Sequence, residues 1–189
     1  VDHGDSRLLK MLYAVAKEYT EENFTLPGNP MTEKTLRSRV RLAKERILSG
    51  RFTTQEELEK EIFSTGFYKQ KARSIKTCCD ELIKNHKGKV PADFDELVKL
   101  PGVGRKTASV IAGNAFGIPA IAVDTHVKRL SNLLGFIESQ NPDKIEIRLK
   151  ELLPESYWIN SSHWLATHGR KICIANRPKC SECVISDLC

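Results

Sequence analysis

The sequence predicts an all-α protein. Apolar residues recur at every third or fourth position along almost the whole chain, which is the period of an amphipathic helix. Only the stretch 118–123 is apolar enough to suggest a strand, and Pro119 argues against it because proline cannot donate to a β-ladder. Glycine and proline separate the periodic segments, as expected for helices joined by tight turns.

Two helices are predicted before residue 51. Asp5 is the expected N-cap of the first, and Gly50 ends the second. Their apolar positions are Leu8, Leu12, Val15 and Tyr19 in the first helix, and Leu36, Val40, Ala43 and Ile47 in the second.

The middle of the chain predicts four further helices. Thr54 and Glu57 have the spacing of a capping box, in which each side chain bonds the other residue's backbone N–H. The helix after that one ends near Gly88 and Pro91, and a later one ends at Gly117. The apolar positions are Leu58, Ile62 and Phe63; Ile75, Cys79, Leu82 and Ile83; Phe94, Leu97 and Val98; and Ala108, Ile111, Ala112 and Ala115.

Two polar residues predict where the next helices begin. Asp124 precedes the periodic residues Val127, Leu130 and Leu134, and is expected to cap that helix. Asn141-Pro142 predicts another start, because proline is favoured in the first turn of a helix.

Composition and charge narrow the class of protein. Hydrophobic residues make up 40% and charged residues 29% of the 189 positions, which is typical of a folded domain. No apolar run approaches the roughly 18 residues of a membrane span, and residues 1–5 lack a secretory signal, so an intracellular location is expected, either bacterial or nuclear and mitochondrial. Thirty Lys and Arg residues against 24 acids give a net charge of +6, which favours nucleic acid only weakly.

Four of the six cysteines predict a metal centre. They fall within the last 17 residues with the spacing Cys173-x6-Cys180-x2-Cys183-x5-Cys189. Four thiolates this close suit tetrahedral zinc or an iron–sulfur cluster, and the spacing alone does not choose between them. Cys78 and Cys79 lie in a helical stretch and are expected to be core thiols.

The segment Leu100-Pro101-Gly102-Val103-Gly104-Arg105-Lys106-Thr107-Ala108 joins two predicted helices. Gly102 and Gly104 permit positive φ and leave backbone N–H groups uncovered. Together with the start of the next helix, those groups would bind a DNA phosphate without reading any base. The alternative is a plain corner between two helices.

These motifs together resemble the iron–sulfur branch of the endonuclease III family, within the helix–hairpin–helix DNA glycosylase superfamily. The resemblance runs from Thr65 to Cys189, about two-thirds of the chain. It rests on the hairpin, the Gly117-Ile118-Pro119 turn, Val123-Asp124-Thr125-His126, the stretch from His163 to Arg170, and the four cysteines.

The resemblance implies a function and roles for single residues. The implied activity is that of a bifunctional DNA glycosylase and abasic-site lyase of base-excision repair, removing oxidised pyrimidines from duplex DNA. Lys106 matches the family's nucleophile and Asp124 its essential carboxylate. The cysteines are then the ligands of a [4Fe–4S] cluster, with Arg170, Lys171, Arg177 and Lys179 available to offset its negative charge. The predicted DNA contacts are Gly102, Val103, Gly104, Arg105, Thr107, Arg177 and Lys179, the last two otherwise being solvated surface charge.

Two other functions remain open at this point. A non-catalytic module would bind damaged DNA and use the cluster structurally, and a monofunctional glycosylase would release the base and leave the strand intact. The expected partner in each case is double-stranded DNA that contains damaged bases or abasic sites, bound by a monomer.

The predicted architecture has two helical lobes that flank a DNA-binding cleft. One is a helical barrel of residues 22–118, with the helix–hairpin–helix at about 94–113. The other combines residues 1–21 and 119–189 and holds the cluster.

The N-terminal third departs from the family after Pro30. An apolar helix and a polar loop are expected there, and Met31-Thr32-Glu33-Lys34 follows directly instead. Deletion of a core helix would open a costly cavity and predicts low stability and little activity, so we expect the full-length protein to carry the segment. The resemblance therefore names no residue for the space that a flipped base leaves.

Overall fold

A computed structural model describes Met11 and residues 54–189. Apart from Met11, which is helical, the two helices predicted before residue 51 lie outside this range. Residues 54–189 form α-helices, short 3-10 helices and connecting turns, with no β-strand among them. The all-α prediction is therefore confirmed for the described part of the chain.

Seven α-helices follow one another between residues 55 and 171. They are α1 (Gln55–Glu61), α2 (Tyr68–His86), α3 (Phe94–Lys99), α4 (Arg105–Phe116), α5 (Thr125–Leu133), α6 (Pro142–Leu152) and α7 (Trp158–Lys171). Single 3-10 turns occupy Glu155–Tyr157, Cys180–Glu182 and Ser186–Leu188. None of the described helices combines the length and the apolarity that a membrane span requires.

The helix ends follow the capping residues seen in the sequence. Thr54 and Glu57 form the predicted capping box, with the Thr54 hydroxyl 3.3 Å from the Glu57 N–H. The Asn141 side chain accepts from the first-turn N–H groups of α6, and Pro142 is the first residue of that helix. Helix α2 ends at Lys87, in the left-handed region, and Gly88 follows with φ +70°. The predicted boundaries of these helices are confirmed.

The described chain folds into two units, one of residues 54–104 and one of Met11 with residues 105–189. In the 54–104 unit, α1 packs on α2, and the rings of Phe63 and Tyr68 lie 4.9 Å apart. The domain limits proposed from the sequence, 22–118 and 119–189, stay a prediction.

The 105–189 unit contains a well-buried core. Helices α5, α6 and α7 supply most of it, and Met11 and Ile185 pack into the same cluster. Burial of one large aliphatic side chain stabilises a fold by about 1.5–3 kcal/mol, so this cluster is the main source of cohesion in the unit. Its members with the least exposure include Val127, Leu130, Phe136, Ile145, Leu149 and Leu165.

Helices α5 and α7 are the most extensively paired helices in the described structure, and Gly169 sets their separation. A Cβ atom on Gly169 would lie 3.0 Å from His126 Cβ and 3.2 Å from Leu130 Cδ1. Such distances are tighter than ordinary van der Waals contact, so a side chain at residue 169 would require these neighbours to shift. Glycine at residue 169 therefore favours the close approach of the first turn of α5 and the last turn of α7.

Gly169→Val should lower the free energy of unfolding by about 1–3 kcal/mol, because overpacking forces the two backbones apart. The measurement is urea unfolding followed by circular dichroism. Asn160→Val is the matched control, since Asn160 is an exposed residue of the same helix. Its effect should stay within about 0.5 kcal/mol. Equal losses in the two variants would mean that valine costs helix propensity and that the crossing is not tight.

Candidate active site and cysteine loop

The turn between α3 and α4 requires glycine at residue 102. Gly102 has φ +77°, and a Cβ atom there would lie 2.6 Å from Ser74 Cβ. Both the backbone conformation and the close approach of α2 exclude a side chain. The expectation of positive φ at Gly104 is wrong, because that residue does not adopt the left-handed conformation and has open space around it.

One hydrogen bond within the turn changes the expected anion site. The Val103 N–H donates to the Leu100 carbonyl at 3.0 Å, so this amide is already used inside the turn. The first N–H groups of any α-helix have no intrahelical acceptor, and those at the start of α4 follow directly after Gly104. The Val103 N–H is therefore not one of the uncovered amides, and phosphate binding at this turn stays a prediction.

Lys106 is the second residue of α4 and its side chain is exposed, as is that of Thr107. Its neighbour Arg105 is held by two carboxylates. Arg105 Nε lies 3.0 Å from Asp143 Oδ1, and Arg105 Nη2 lies 3.0 Å from Glu146 Oε2. The guanidinium that the sequence suggested as a DNA contact is thus already bound at the start of α6.

Glu146 pairs with two basic side chains, one of them Arg105. Its side chain is only 8% exposed, and its second oxygen lies 2.6 Å from Lys150 Nζ. A buried carboxylate is tolerated when both oxygens are paired, and removal of one partner is costly. Glu146 therefore ties the first residue of α4 to α6 and fixes the base of the helix that carries Lys106.

Asp124 is the N-cap of α5, as predicted. Its Oδ1 accepts from the His126 N–H at 2.9 Å and from the Val127 N–H at 2.8 Å. Its Oδ2 lies 3.1 Å from Arg170 Nη2, in an ion pair that the sequence did not reveal. The carboxylate thus uses one oxygen for the helix and the other for an arginine of α7.

His163 links α7 to α4. Its Nε2 is 3.1 Å from Asn114 Oδ1. Burial lowers the pKa of His163, and the positive charge of Arg170 lowers it further. The neutral imidazole is therefore favoured, and its bond to Asn114 joins α7 to α4.

The four cysteines follow α7 in one loop. Cys173 and Cys183 are half-buried against the core of the 105–189 unit, and Cys180 and Cys189 are exposed. All four are free thiols, and within the described residues no three metal-binding side chains are drawn together into a closed site. Burial raises the pKa of the Cys183 thiol, and the charges of Cys173, Cys189 and Cys180 raise it further against a lowering hydrogen bond from Ile185. The Cys183 thiol therefore lies where a negative charge is disfavoured.

Two side chains from the helices contact the cysteine loop. Arg129 of α5 donates to Cys173 Sγ at 3.7 Å and also binds the Cys173 carbonyl. His168 of α7 is buried, and its Nε2 lies 3.6 Å from Cys183 Sγ. His168 is thus a neighbour of Cys183, and Arg129 is a cation at the loop that the sequence did not reveal.

The basic residues of the loop lie at its surface. Arg177 and Lys179 are exposed, and Lys179 Nζ lies 3.5 Å from Glu182 Oε2. Arg170, which was expected to offset the charge of the cluster, is paired with Asp124 instead. Contact of Arg177 and Lys179 with DNA stays a prediction.

The partners that sequence reasoning missed are distant in the chain. Arg129 and Cys173 are 44 residues apart, Asp124 and Arg170 are 46 apart, and Arg105 and Glu146 are 41 apart. No motif spacing connects positions this far apart. Only the packing of α5 on α7, and the attachment of α4 to α6, brings these pairs together.

Comparison with known proteins gives a consistent result at the level of sequence. The family described as HhH-GPD superfamily base excision DNA repair protein matches residues 35–155. The chain is 45% identical to endonuclease III of Synechocystis sp. over 136 residues, which cover 71% of this chain and 62% of that protein. It is 44% identical to endonuclease III of Escherichia coli K12 over 128 residues, covering 68% and 61%. The chain thus spans just over three-fifths of these curated relatives.

The structural comparison covers more of each chain. A trapped endonuclease III–DNA covalent intermediate matches with a TM-score of 0.81 and 35% identity, covering 98% of this chain and 95% of that one. A non-covalent endonuclease III–DNA complex matches with a TM-score of 0.79, also at 35% identity, covering 98% and 94%. A thermostable thymine-DNA glycosylase, at 21% identity and a TM-score of 0.74, shares the fold.

Asp124→Ala should lower the free energy of unfolding by about 0.5–2 kcal/mol, because it removes the acceptor of two first-turn N–H groups. Asp124→Asn is the matched control, since asparagine caps helices about as well as aspartate. Asp124→Asn should lower the free energy of unfolding by less than Asp124→Ala does, although it also removes the partly exposed ion pair with Arg170. The measurement is urea unfolding of the three proteins at one pH. Equal losses for Ala and Asn would show that the cap contributes nothing and that the ion pair accounts for the whole effect.

Proposed function

Because the chain belongs to the HhH-GPD superfamily of base excision DNA repair proteins, and within it to the endonuclease III family, we propose that it is a bifunctional DNA glycosylase and abasic-site lyase. Its substrate is duplex DNA with a damaged base, oxidised pyrimidines first, or with an abasic site. The enzyme removes the base through a lysine Schiff base and then nicks the strand. Such a substrate implies that it works inside the cell, where its DNA is.

The observation that carries this proposal is that a lysine amine and an aspartate carboxylate lie at the N-termini of two helices of the 105–189 unit. Lys106 is exposed in the first turn of α4, directly after the glycine turn, and Asp124 caps α5 with an ion-paired second oxygen. A primary amine and a carboxylate are the two groups that Schiff-base chemistry needs. The trapped covalent DNA intermediate of a structural relative supports the same chemistry for this chain.

The reaction begins with displacement of the target nucleotide from the base stack. The C1′ atom is out of reach inside a duplex, and flipping costs a few kcal/mol, least for a damaged pair. The neutral Lys106 amine attacks C1′, and the bond to the base breaks with the electron pair leaving on the base. The nitrogen then loses a proton, the C1′–O4′ bond of the sugar ring opens with its electron pair and a proton going to O4′, and a protonated imine joins Lys106 to C1′. Loss of a C2′ proton then expels the 3′ phosphate and breaks the strand.

The amine must lose a proton before it attacks. An ordinary lysine, with a pKa of about 10.4, is almost wholly protonated at neutral pH. The Asp124 carboxylate receives the proton as attack occurs and stabilises positive charge on the sugar.

DNA is held by the sugar–phosphate backbone. The glycine turn and the first amides of α4 offer N–H donors and the positive end of a helix dipole to one phosphate. Gly102, Gly104 and Thr107 belong to this contact, and Arg177 and Lys179 lie on the surface of the cysteine loop. Arg105 engages a phosphate only by sharing a guanidinium that Asp143 and Glu146 already hold.

A [4Fe–4S] cluster would be held by Cys173, Cys180, Cys183 and Cys189, whose thiols all lie in the one short loop after α7. The four side chains are not drawn together into a closed site in the described structure, so binding of the cluster would gather them. Arg129 supplies a positive hydrogen-bond donor to one sulfur. A cluster here would cross-link the loop after α7 and present its surface charges in a fixed arrangement.

Lys106→Gln should abolish both strand cleavage and the covalent adduct that borohydride forms with wild-type protein and lesion DNA, because an amide cannot form the imine. The measurement is denaturing electrophoresis of a labelled single-lesion duplex after incubation with borohydride. Lys144→Gln is the matched control, since Lys144 is an exposed lysine of α6 with no assigned role, and it should trap like wild type.

Three other results of that experiment have distinct meanings. A Lys106→Gln protein that still traps would move the nucleophile to another lysine. A wild type that releases base without trapping is a monofunctional glycosylase that uses water. A wild type that binds abasic duplex and neither releases base nor nicks is a non-catalytic damage-binding module.

Protein purified without oxygen should contain about four iron atoms per chain and absorb visible light through thiolate-to-iron charge transfer. Substitution of serine at Cys173, Cys180, Cys183 or Cys189 should remove both signals. Cys78→Ser and Cys79→Ser are the controls, because these thiols lie in α2 and should leave both signals intact. About one zinc per chain and no iron would contradict the cluster and favour a tetrahedral zinc site.

A further inference from the structure

We propose that Arg170 is a positioning residue for the Asp124 carboxylate, and that it acts on the reaction through that carboxylate and not through a DNA phosphate. The inference rests on the proposed function, because Asp124 enters the chemistry only there. It gives Arg170 a role different from the one its position next to the cysteine loop suggested.

The first argument is that the two oxygens of the Asp124 carboxylate have different hydrogen-bond partners. Oδ1 accepts two backbone N–H groups of α5, and Oδ2 accepts from Arg170 Nη2 at 3.1 Å. The torsion angle that rotates an aspartate carboxylate has a broad, roughly two-fold distribution. Hydrogen bonds to Oδ1 alone therefore leave Oδ2 able to point in a range of directions. The contact with Arg170 narrows that range on the oxygen that is not used by the helix.

The second argument is that the end of α7, which carries Arg170, is held in place by packing. Arg170 lies in the last turn of α7, next to Gly169, which lies close to His126 in the first turn of α5. Asp124 caps that same turn. The arginine is therefore presented by a tight helix crossing and not by a loop. The Asp124 side chain is 17% exposed and that of Arg170 48%, so the pair lies at the edge of the packed region, within reach of a substrate.

The third argument is electrostatic. A cation beside Asp124 opposes the positive charge that develops on the sugar, so the charge of Arg170 alone would slow the reaction. Its benefit must then come from the direction in which it holds Oδ2. This separates the role proposed here from simple charge stabilisation, and it predicts that the effect of Arg170 disappears once Asp124 is replaced.

The test is a double-mutant cycle of wild type, Arg170→Met, Asp124→Asn and the double variant. The assay is the single-turnover rate of nicking at a pre-formed abasic site, with protein in excess. Arg170→Met should lower the rate about 10- to 100-fold in the wild-type background, as expected for a displaced catalytic group. In the Asp124→Asn background the same change should alter the rate less than about 3-fold, since residues that act as a unit are not additive.

Two further readouts exclude a merely structural role or a phosphate contact. The slope of log K against log salt should be the same for Arg170→Met and wild type, whereas a lost phosphate contact would make it shallower by about one unit. Arg170→Lys should recover part of the rate, because lysine keeps one donor near Oδ2. If Arg170→Met fails to fold, Arg170→Ala takes its place in the cycle, since alanine also removes the donor to Oδ2.

Each outcome decides the question. Rate losses that multiply in the double variant, or a shallower salt slope, would overturn the positioning role even if the enzyme is active. A wild type that neither nicks nor traps with borohydride would overturn the proposed function first, and the positioning role with it. Rate loss confined to the background that keeps Asp124, with an unchanged slope and partial rescue by lysine, supports the proposal.

Discussion

The crossing of α5 and α7 at Gly169 is the interaction on which the rest of the 105–189 unit depends. A single missing Cβ lets the first turn of one helix lie against the last turn of the other. Next to Gly169, Arg170 reaches Asp124. Arg129 reaches the Gly169 carbonyl and the thiol of Cys173. The candidate catalytic carboxylate and the cysteine loop are therefore held by the same pair of helices, and a change in their separation would move both.

Carboxylates form ion pairs with several of the basic residues that the net positive charge had suggested for DNA binding. Arg105 binds Asp143 and Glu146, Arg170 binds Asp124, and Lys179 lies near Glu182. The net charge of +6 counts the excess of cations over the whole chain and does not show which of them are already paired. The arginines fix helix starts and a helix crossing, and under the proposed function phosphate binding would depend more on backbone amides at the start of α4.

The cysteine loop depends both on the local spacing of its cysteines and on contacts from distant parts of the chain. The spacing of the cysteines brings four sulfurs into one short loop, and the resemblance to a family suggests which group they hold. Their electrostatic surroundings come from elsewhere: a guanidinium from α5, an imidazole from α7 and the apolar core behind Cys173 and Cys183. The guanidinium of Arg129 lowers the cost of negative charge on Cys173, whereas burial against the apolar core raises that cost at Cys183.

The sequence by itself determined the helical fold class, most helix ends and the positions of Lys106, Asp124 and the four cysteines, because periodicity, caps and motif spacing are local properties of a chain. It misjudged the backbone at Gly104 and the availability of Val103 N–H, since hydrogen bonding within a turn depends on coordinates. Only the tertiary structure decided the partners of Arg105, Arg129 and Arg170. Long side chains reach whatever carboxylate or thiol the packing of distant helices brings within about 3–4 Å, and no local pattern encodes that distance.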